Sequence, residues 1–110
     1  MTIILNERFI ISAGDSETIA IDYTDILDGS ELLTGTPTVV EPTTSGVTLS
    51  NKGVNTAALT IKGRSVAIGK AVQCLGSGWT SGSTHTIRVT VSTDASPART
   101  WVRDIKIAAT

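Results

Sequence analysis

Along residues 84–92, Ile87, Val89 and Val91 alternate with Thr86, Arg88 and Thr90, and along 100–108 Trp101, Ile105 and Ile107 alternate with Val102, Asp104 and Lys106. A period of two sends one parity of side chains into a core and the other into solvent, so both stretches predict half-buried strands. The link between them, residues 93–99, carries Asp94, Ser96 and Pro97, which is turn chemistry and predicts a hairpin.

The same rhythm recurs upstream. Residues 17–22 place Ile19 and Ile21 on one face and Thr18, Ala20 and Asp22 on the other. Residues 23–30 are too short for a free-standing helix and suit one turn that tucks Tyr23, Ile26 and Leu27 over the end of a core, closed by Asp28 and Gly29. Leu32 and Leu33 begin a short strand or bend, and 36–41 reads as a strand that Pro37 confines to an edge or a strand start. After a turn at 42–46, strands at 47–52 (Val47 and Leu49 inward) and 56–62 (Leu59 and Ile61 inward) flank a turn at Gly53, Val54 and Asn55. Residues 65–68 and 71–75, interrupted at Gly69 and Lys70, form one bent strand or two short ones, and the Gly/Ser-rich loop 76–83 returns the chain to the hairpin. Nearer the N-terminus a strand falls at 9–12. Residues 1–8 form an arm whose Ile3, Ile4 and Leu5 either pack on their own domain or meet a neighbour, the first being the commoner fate of a terminus. Short strands with frequent turn signals and no helix-length 3.6 period predict an all-β, antiparallel two-sheet sandwich of about seven to eight strands, one domain over residues 1–110.

Composition narrows the picture. With 110 residues and 4% aromatics, the core is built from Ile, Val, Leu and Ala, and Phe9, Tyr23, Trp79 and Trp101 are the only large anchors. A formal net charge of −1 from 9 basic and 10 acidic residues gives no electrostatic footprint for nucleic acid or an anionic membrane. No apolar run approaches a membrane span, and the first residues lack a basic, then apolar leader pattern. One cysteine, Cys74, excludes an intramolecular disulfide and fits synthesis in a reducing cytoplasm.

Candidate chemistry is thin. His85 is the only histidine and falls on the parity of Ile87 and Val89, which predicts a rim residue of the sandwich rather than a catalytic base. Cys74 lies in an apolar strand without a neighbouring base, which predicts a buried small hydrophobe. Asp22, Asp25 and Asp28 recur every three residues beside a glycine, a pattern that gathers oxygen ligands for a cation in some loops but here matches turn caps better. We expect no enzyme, no cofactor and no metal. Trp79, flanked by Gly and Ser, is either folded back over the sandwich end or presented to a partner, and the scarcity of aromatics favours the lid. Arg103 breaks the inward parity of the last strand, which predicts a place near an edge, paired with a carboxylate. The partner-interface candidates are therefore Trp79, Ile3, Ile4 and Leu5.

Three separated stretches resemble the fiber-tail adaptor family, small immunoglobulin-like virion proteins of tailed bacteriophages. The first is residues 17–30, an acidic alternating strand that runs into Tyr23, a short turn and the Asp28-Gly29 step. The second is residues 75–90, a Gly/Ser-rich loop feeding the strand that carries Ile87 and Val89, and the third is residues 99–107, a closing strand after a turn with Arg99. Order and spacing agree over residues 15–108, although the family tends to carry tryptophan where Tyr23 or Ile26 stands and another aromatic near Thr38. The resemblance implies an immunoglobulin-like sandwich without catalytic residues. It further implies an adaptor made in the host cytoplasm and located in the virion tail. Such an adaptor links tail or baseplate to fibre proteins by surface complementarity, in multiple copies within a symmetric assembly, and contacts neither nucleic acid nor membrane. Other roles open to such a scaffold are a carbohydrate-binding or adhesin-type module and a capsid decoration protein.

Overall fold

In the computed structural model, which describes residues 2–4, 8–61 and 63–110, with side chains from 10–60 and 63–110, the alternating segments become strands in two layers. In chain order these are β1 (Thr2–Ile4), β2 (Arg8–Ile11), β3 (Glu17–Asp22), β4 (Leu33–Val40), β5 (Thr48–Val54), β6 (Leu59–Ile61), β7 (Arg64–Val66), β8 (Ala71–Ser77), β9 (Thr84–Thr93) and β10 (Thr100–Ala109). A single 3-10 turn, Thr24–Ile26, follows β3. It carries Tyr23 and Leu27 into the core, with Ile26 packed against it, as the sequence predicts.

One four-stranded sheet has the order β1-β3-β8-β5, the other β2-β10-β9-β4, and β6 pairs with β7 in a separate hairpin. This is an immunoglobulin-like layout, with the chain's first strands added to each sheet. Eight strands build the two sheets, and the ladders are antiparallel except at the N-terminus. There β1 runs parallel to β3 (Ile3 beside Ile21) and β2 parallel to β10 (Phe9 beside Ile107), two parallel ladders within the antiparallel sandwich that the sequence predicts. These neighbours are far apart in sequence, so no tight hairpin imposes opposite directions on them. The residues expected as an arm thus include a strand at their start, Thr2–Ile4, on their own domain.

The core lies between the sheets. Ile19, Ile21, Val72 and Cys74 from the first face Ile87, Val89, Val91, Ile105 and Ile107 from the second. Each fully buried aliphatic of this size stabilises the fold by about 1.5–3 kcal/mol relative to exposure, so this interdigitated set is the main favourable contribution.

Where sequence parity fails, a covering element explains it. Ala20 and Asp22 lie on the parity expected in solvent yet are buried. The β6–β7 hairpin folds onto this outer face, where Val66 and Leu59 pack with Ala20 and Ala71 in a second small cluster. Leu59 therefore serves that cluster instead of the main core. The expected strand at 47–52 also runs further, to Val54, with a register shift between Ser50 and Gly53 that Asn51 accommodates at φ 52°. β4 is an edge strand, as Pro37 demands, and shifts register between Thr34 and Thr38 around Gly35.

Asn55 is the polar node of the fold. It is buried, its side-chain amide donates to the carbonyls of Ala57 and Ala67, and its Oδ1 accepts from the N–H groups of Gly69, Lys70 and Ala71. One side chain thus ties together the backbone of the bend between β7 and β8, adding to the backbone bonds Gly69 N–H makes to the Asn55 carbonyl and Lys70 N–H to the Ala67 carbonyl.

Candidate interaction site

Trp79 does not face solvent. It is 4% exposed and lies on β8, where an added Cβ at Gly76 would come within 2.6 Å of the indole Cζ2. Glycine at 76 is what lets the ring approach the strand. The lid geometry is therefore the one the fold adopts, and the ring is not presented to a partner. Its neighbour is His85, with ring centroids 5.4 Å apart in an edge arrangement.

His85 is 2% exposed, deeper than the rim position expected from sequence, because Trp79 closes over it. The Thr80 N–H donates to Nε2 at 3.0 Å, so that nitrogen carries a lone pair and the neutral ring holds its proton on Nδ1. Nδ1–H then donates to Ser45 Oγ at 2.7 Å, and the Ser45 hydroxyl donates to Glu41 Oε2. Glu41 Oε1 also accepts the Val47 N–H at 3.2 Å. Serine, histidine and glutamate are the ingredients of a hydrolytic triad, but here the order is wrong. The histidine gives its proton towards the serine instead of taking one, and a base with no free lone pair facing the nucleophile cannot activate it. The chain of bonds instead ties the 42–46 turn to the 78–83 loop at one end of the sandwich. Neither Glu41 nor Ser45 stands out in the sequence; the only cue is an acid and a hydroxyl bracketing a Pro- and Thr-containing turn.

The opposite end is held by ion pairs. Arg99 Nε donates to Glu31 Oε2 at 3.0 Å, and its Nη2 donates to Glu31 Oε1 and, at 3.3 Å, to Asp28 Oδ2. The guanidinium, and after it the Thr93 hydroxyl, holds the Glu31 carboxyl down at about 2. Arg64 grips Asp25 with two bonds of 3.1 and 2.8 Å, which lowers the Asp25 carboxyl, and lies 3.8 Å from Asp22. Asp22 Oδ1 accepts from both the N–H and the hydroxyl of Thr24, as a turn cap does. The three aspartates are thus divided between two arginines, and among the described residues no cluster of His, Cys, Asp or Glu is arranged to hold a metal. Cys74 is buried, and burial pushes its thiol up to about 11, so it is inert at neutral pH.

Arg103 lies on the inner parity of β10 near the side that is open among the described residues, and among those residues the expected carboxylate does not pair with it. Its guanidinium sits over the Trp101 ring at 5.1 Å, a ring that also has the Arg99 guanidinium at 5.0 Å, and Nη1 donates to the Val102 carbonyl at 2.9 Å. The flat indole offers the cation a partner that the sequence pattern does not reveal. The backbones of Ile3 and Ile4 lie in the edge strand β1, and Leu5 falls outside the described residues. Between the edges of β4 and β5 runs an open groove of about 380 Å³, with Val39, Val47 and Leu49 along it and Glu41 and Lys52 among its polar groups. No family model, curated protein or solved structure matches the chain.

Proposed function

We propose that this chain is a structural protein of a tailed-bacteriophage virion, an adaptor that joins tail or baseplate to fibre proteins through protein–protein contacts. The observation that carries the reading is how the fold uses the three family-like stretches. Residues 17–30 supply β3 and the turn after it, residues 75–90 supply the Trp79 loop and most of β9, and residues 99–107 supply β10. The Asp28-Gly29 step of the first stretch meets Arg99 of the third in an ion pair, so two features of the resemblance that are distant in sequence form one joint. A bridging role needs a rigid frame with accessible edges and no chemistry, which agrees with a histidine and a cysteine that are both buried. A sugar-binding module would stack an exposed aromatic on its ligand, and Trp79 is not available for that.

The test is the protein's place in intact particles. Mass spectrometry of separated head and tail fractions, with gold-labelled antibody on whole virions, is expected to find the chain at the tail–fibre junction. Recovery on heads would favour capsid decoration, and absence from purified particles would end the virion reading.

A further inference from the structure

The sheet edges differ in how they are guarded. β4 carries Pro37 and a bulge, and β5 is distorted at Asn51, both of which discourage pairing with another chain. β10 is ten residues long, and β2 covers only Lys106 to Ala109, so among the described residues nothing pairs with its other six on that side. That stretch has neither proline nor bulge.

Its backbone faces outward in a usable way. The Thr93 N–H bonds to the Arg99 carbonyl and the Ala109 N–H to the Ser83 carbonyl, so odd-numbered residues of β10 pair with β9, while the Thr110 N–H turns the other way, to Ile11. Alternation then directs the peptide groups of Val102 and Asp104 to the uncovered side. Val102 is 49% exposed beside them.

One charge marks the same spot. Arg64, Arg88 and Arg99 each sit on a carboxylate, whereas Arg103 has none among the described residues. Its guanidinium instead occupies the Val102 carbonyl, the acceptor that an added strand would use. An incoming strand has to draw Arg103 off, and a carboxylate is the acceptor that binds a guanidinium more strongly than a carbonyl does.

We propose that the 100–105 edge of β10 is a docking edge for an extended, acidic segment of a partner protein, which adds as a further strand and presents a carboxylate to Arg103. The proposal rests on the adaptor reading in taking the partner to be a protein, and it names the chemistry of that partner.

The probe is a capped peptide of sequence Thr-Val-Glu-Val-Thr, with a Lys-for-Glu counterpart, titrated into the isotopically labelled full chain and followed by nuclear magnetic resonance. The expected result is shifted, exchange-protected amides at Val102 and Asp104 and a shifted Trp101 indole signal. The lysine peptide should bind at least about tenfold more weakly, and Arg103→Gln should remove that preference without unfolding the chain. The proposal is overturned by equal affinity for the two peptides, by shifts confined to β1 or β5, by no shifts at millimolar peptide, or by concentration-dependent shifts at Val102 without peptide, which would mark pairing with a second copy. A Glu7→Gln chain that gains peptide affinity would place the carboxylate in the chain itself, and so would overturn it too. The titration uses the isolated chain, so it can fail while the particle experiment succeeds, and the reverse.

Discussion

Replacing Trp79 with alanine, alone and together with Gly76→Ala, tests whether the indole is a structural lid. Truncating a buried tryptophan costs about 3–5 kcal/mol. The low end applies here, because the indole N–H is buried without a hydrogen-bond partner among the described residues and its removal returns part of the loss. About 3 kcal/mol is a large share of a stability of about 5–15 kcal/mol, and it lowers the urea midpoint by about 1–3 M. Gly76→Ala in the parent places a methyl 2.6 Å from the indole and 3.2 Å from Ile19 Cδ1, an overpacking worth about 1–3 kcal/mol. In the Trp79→Ala background the first clash is gone, so the second substitution should cost little. The double variant is therefore expected to be more stable than the sum of the singles by about 1–3 kcal/mol. Urea unfolding monitored by far-ultraviolet circular dichroism measures all four corners of the cycle. Additivity within about 0.5 kcal/mol would show that the ring and Gly76 do not touch, and the packing described for that end of the sandwich would be wrong.

Acid unfolding should report the Arg99–Glu31 joint. Glu31 titrates lower in the folded chain, at about 2, than its ordinary 4.5, so its contribution is complete above that ordinary value and is lost as the pH falls from 4.5 towards 2. Arg99→Gln should lower stability at neutral pH and flatten this acid limb, and parallel limbs for variant and parent would refute the pairing. Burial pushes the Tyr23 phenol up to about 12, so stability should fall as the pH rises from 10 towards 12, when the unfolded chain ionises first. Because that hydroxyl has no hydrogen-bond partner among the described residues, Tyr23→Phe should remove the alkaline loss and leave neutral stability unchanged or raised by up to about 1 kcal/mol; a loss above about 1.5 kcal/mol would reveal an unseen bond. Asn55→Ala strands the Ala71 N–H, while Gly69 and Lys70 keep the backbone carbonyls of residue 55 and Ala67, and should cost about 1–3 kcal/mol in the same urea assay, with Asn55→Asp also destabilising because a carboxylate cannot donate to Ala57 and Ala67.

Much of the architecture is legible without coordinates, because alternation is a local property: the β9–β10 hairpin, β3, the one-turn cover from Tyr23 to Leu27, and the edge position imposed by Pro37 all follow from neighbouring residues. The inert burial of Cys74 follows in the same way. What alternation cannot say is which layer a strand joins or what lies over its outer face. The parallel placement of β1 and β2, and the burial of Ala20 and Asp22, depend on where distant segments land. The same holds for the polar ties. Ser45 and His85 are 40 residues apart and Glu31 and Arg99 are 68 apart, so no spacing rule connects them. Trp79 and Arg103 show the division most plainly. Sequence marks both as unusual for their surroundings, but only the fold decided that the tryptophan turns inward over Gly76. It also decided that the arginine, without a carboxylate among the described residues, lies across its own strand edge. Periodicity selects strands from contacts made within a few residues, whereas register, layer and partner are set by packing between segments that meet only once the chain has closed.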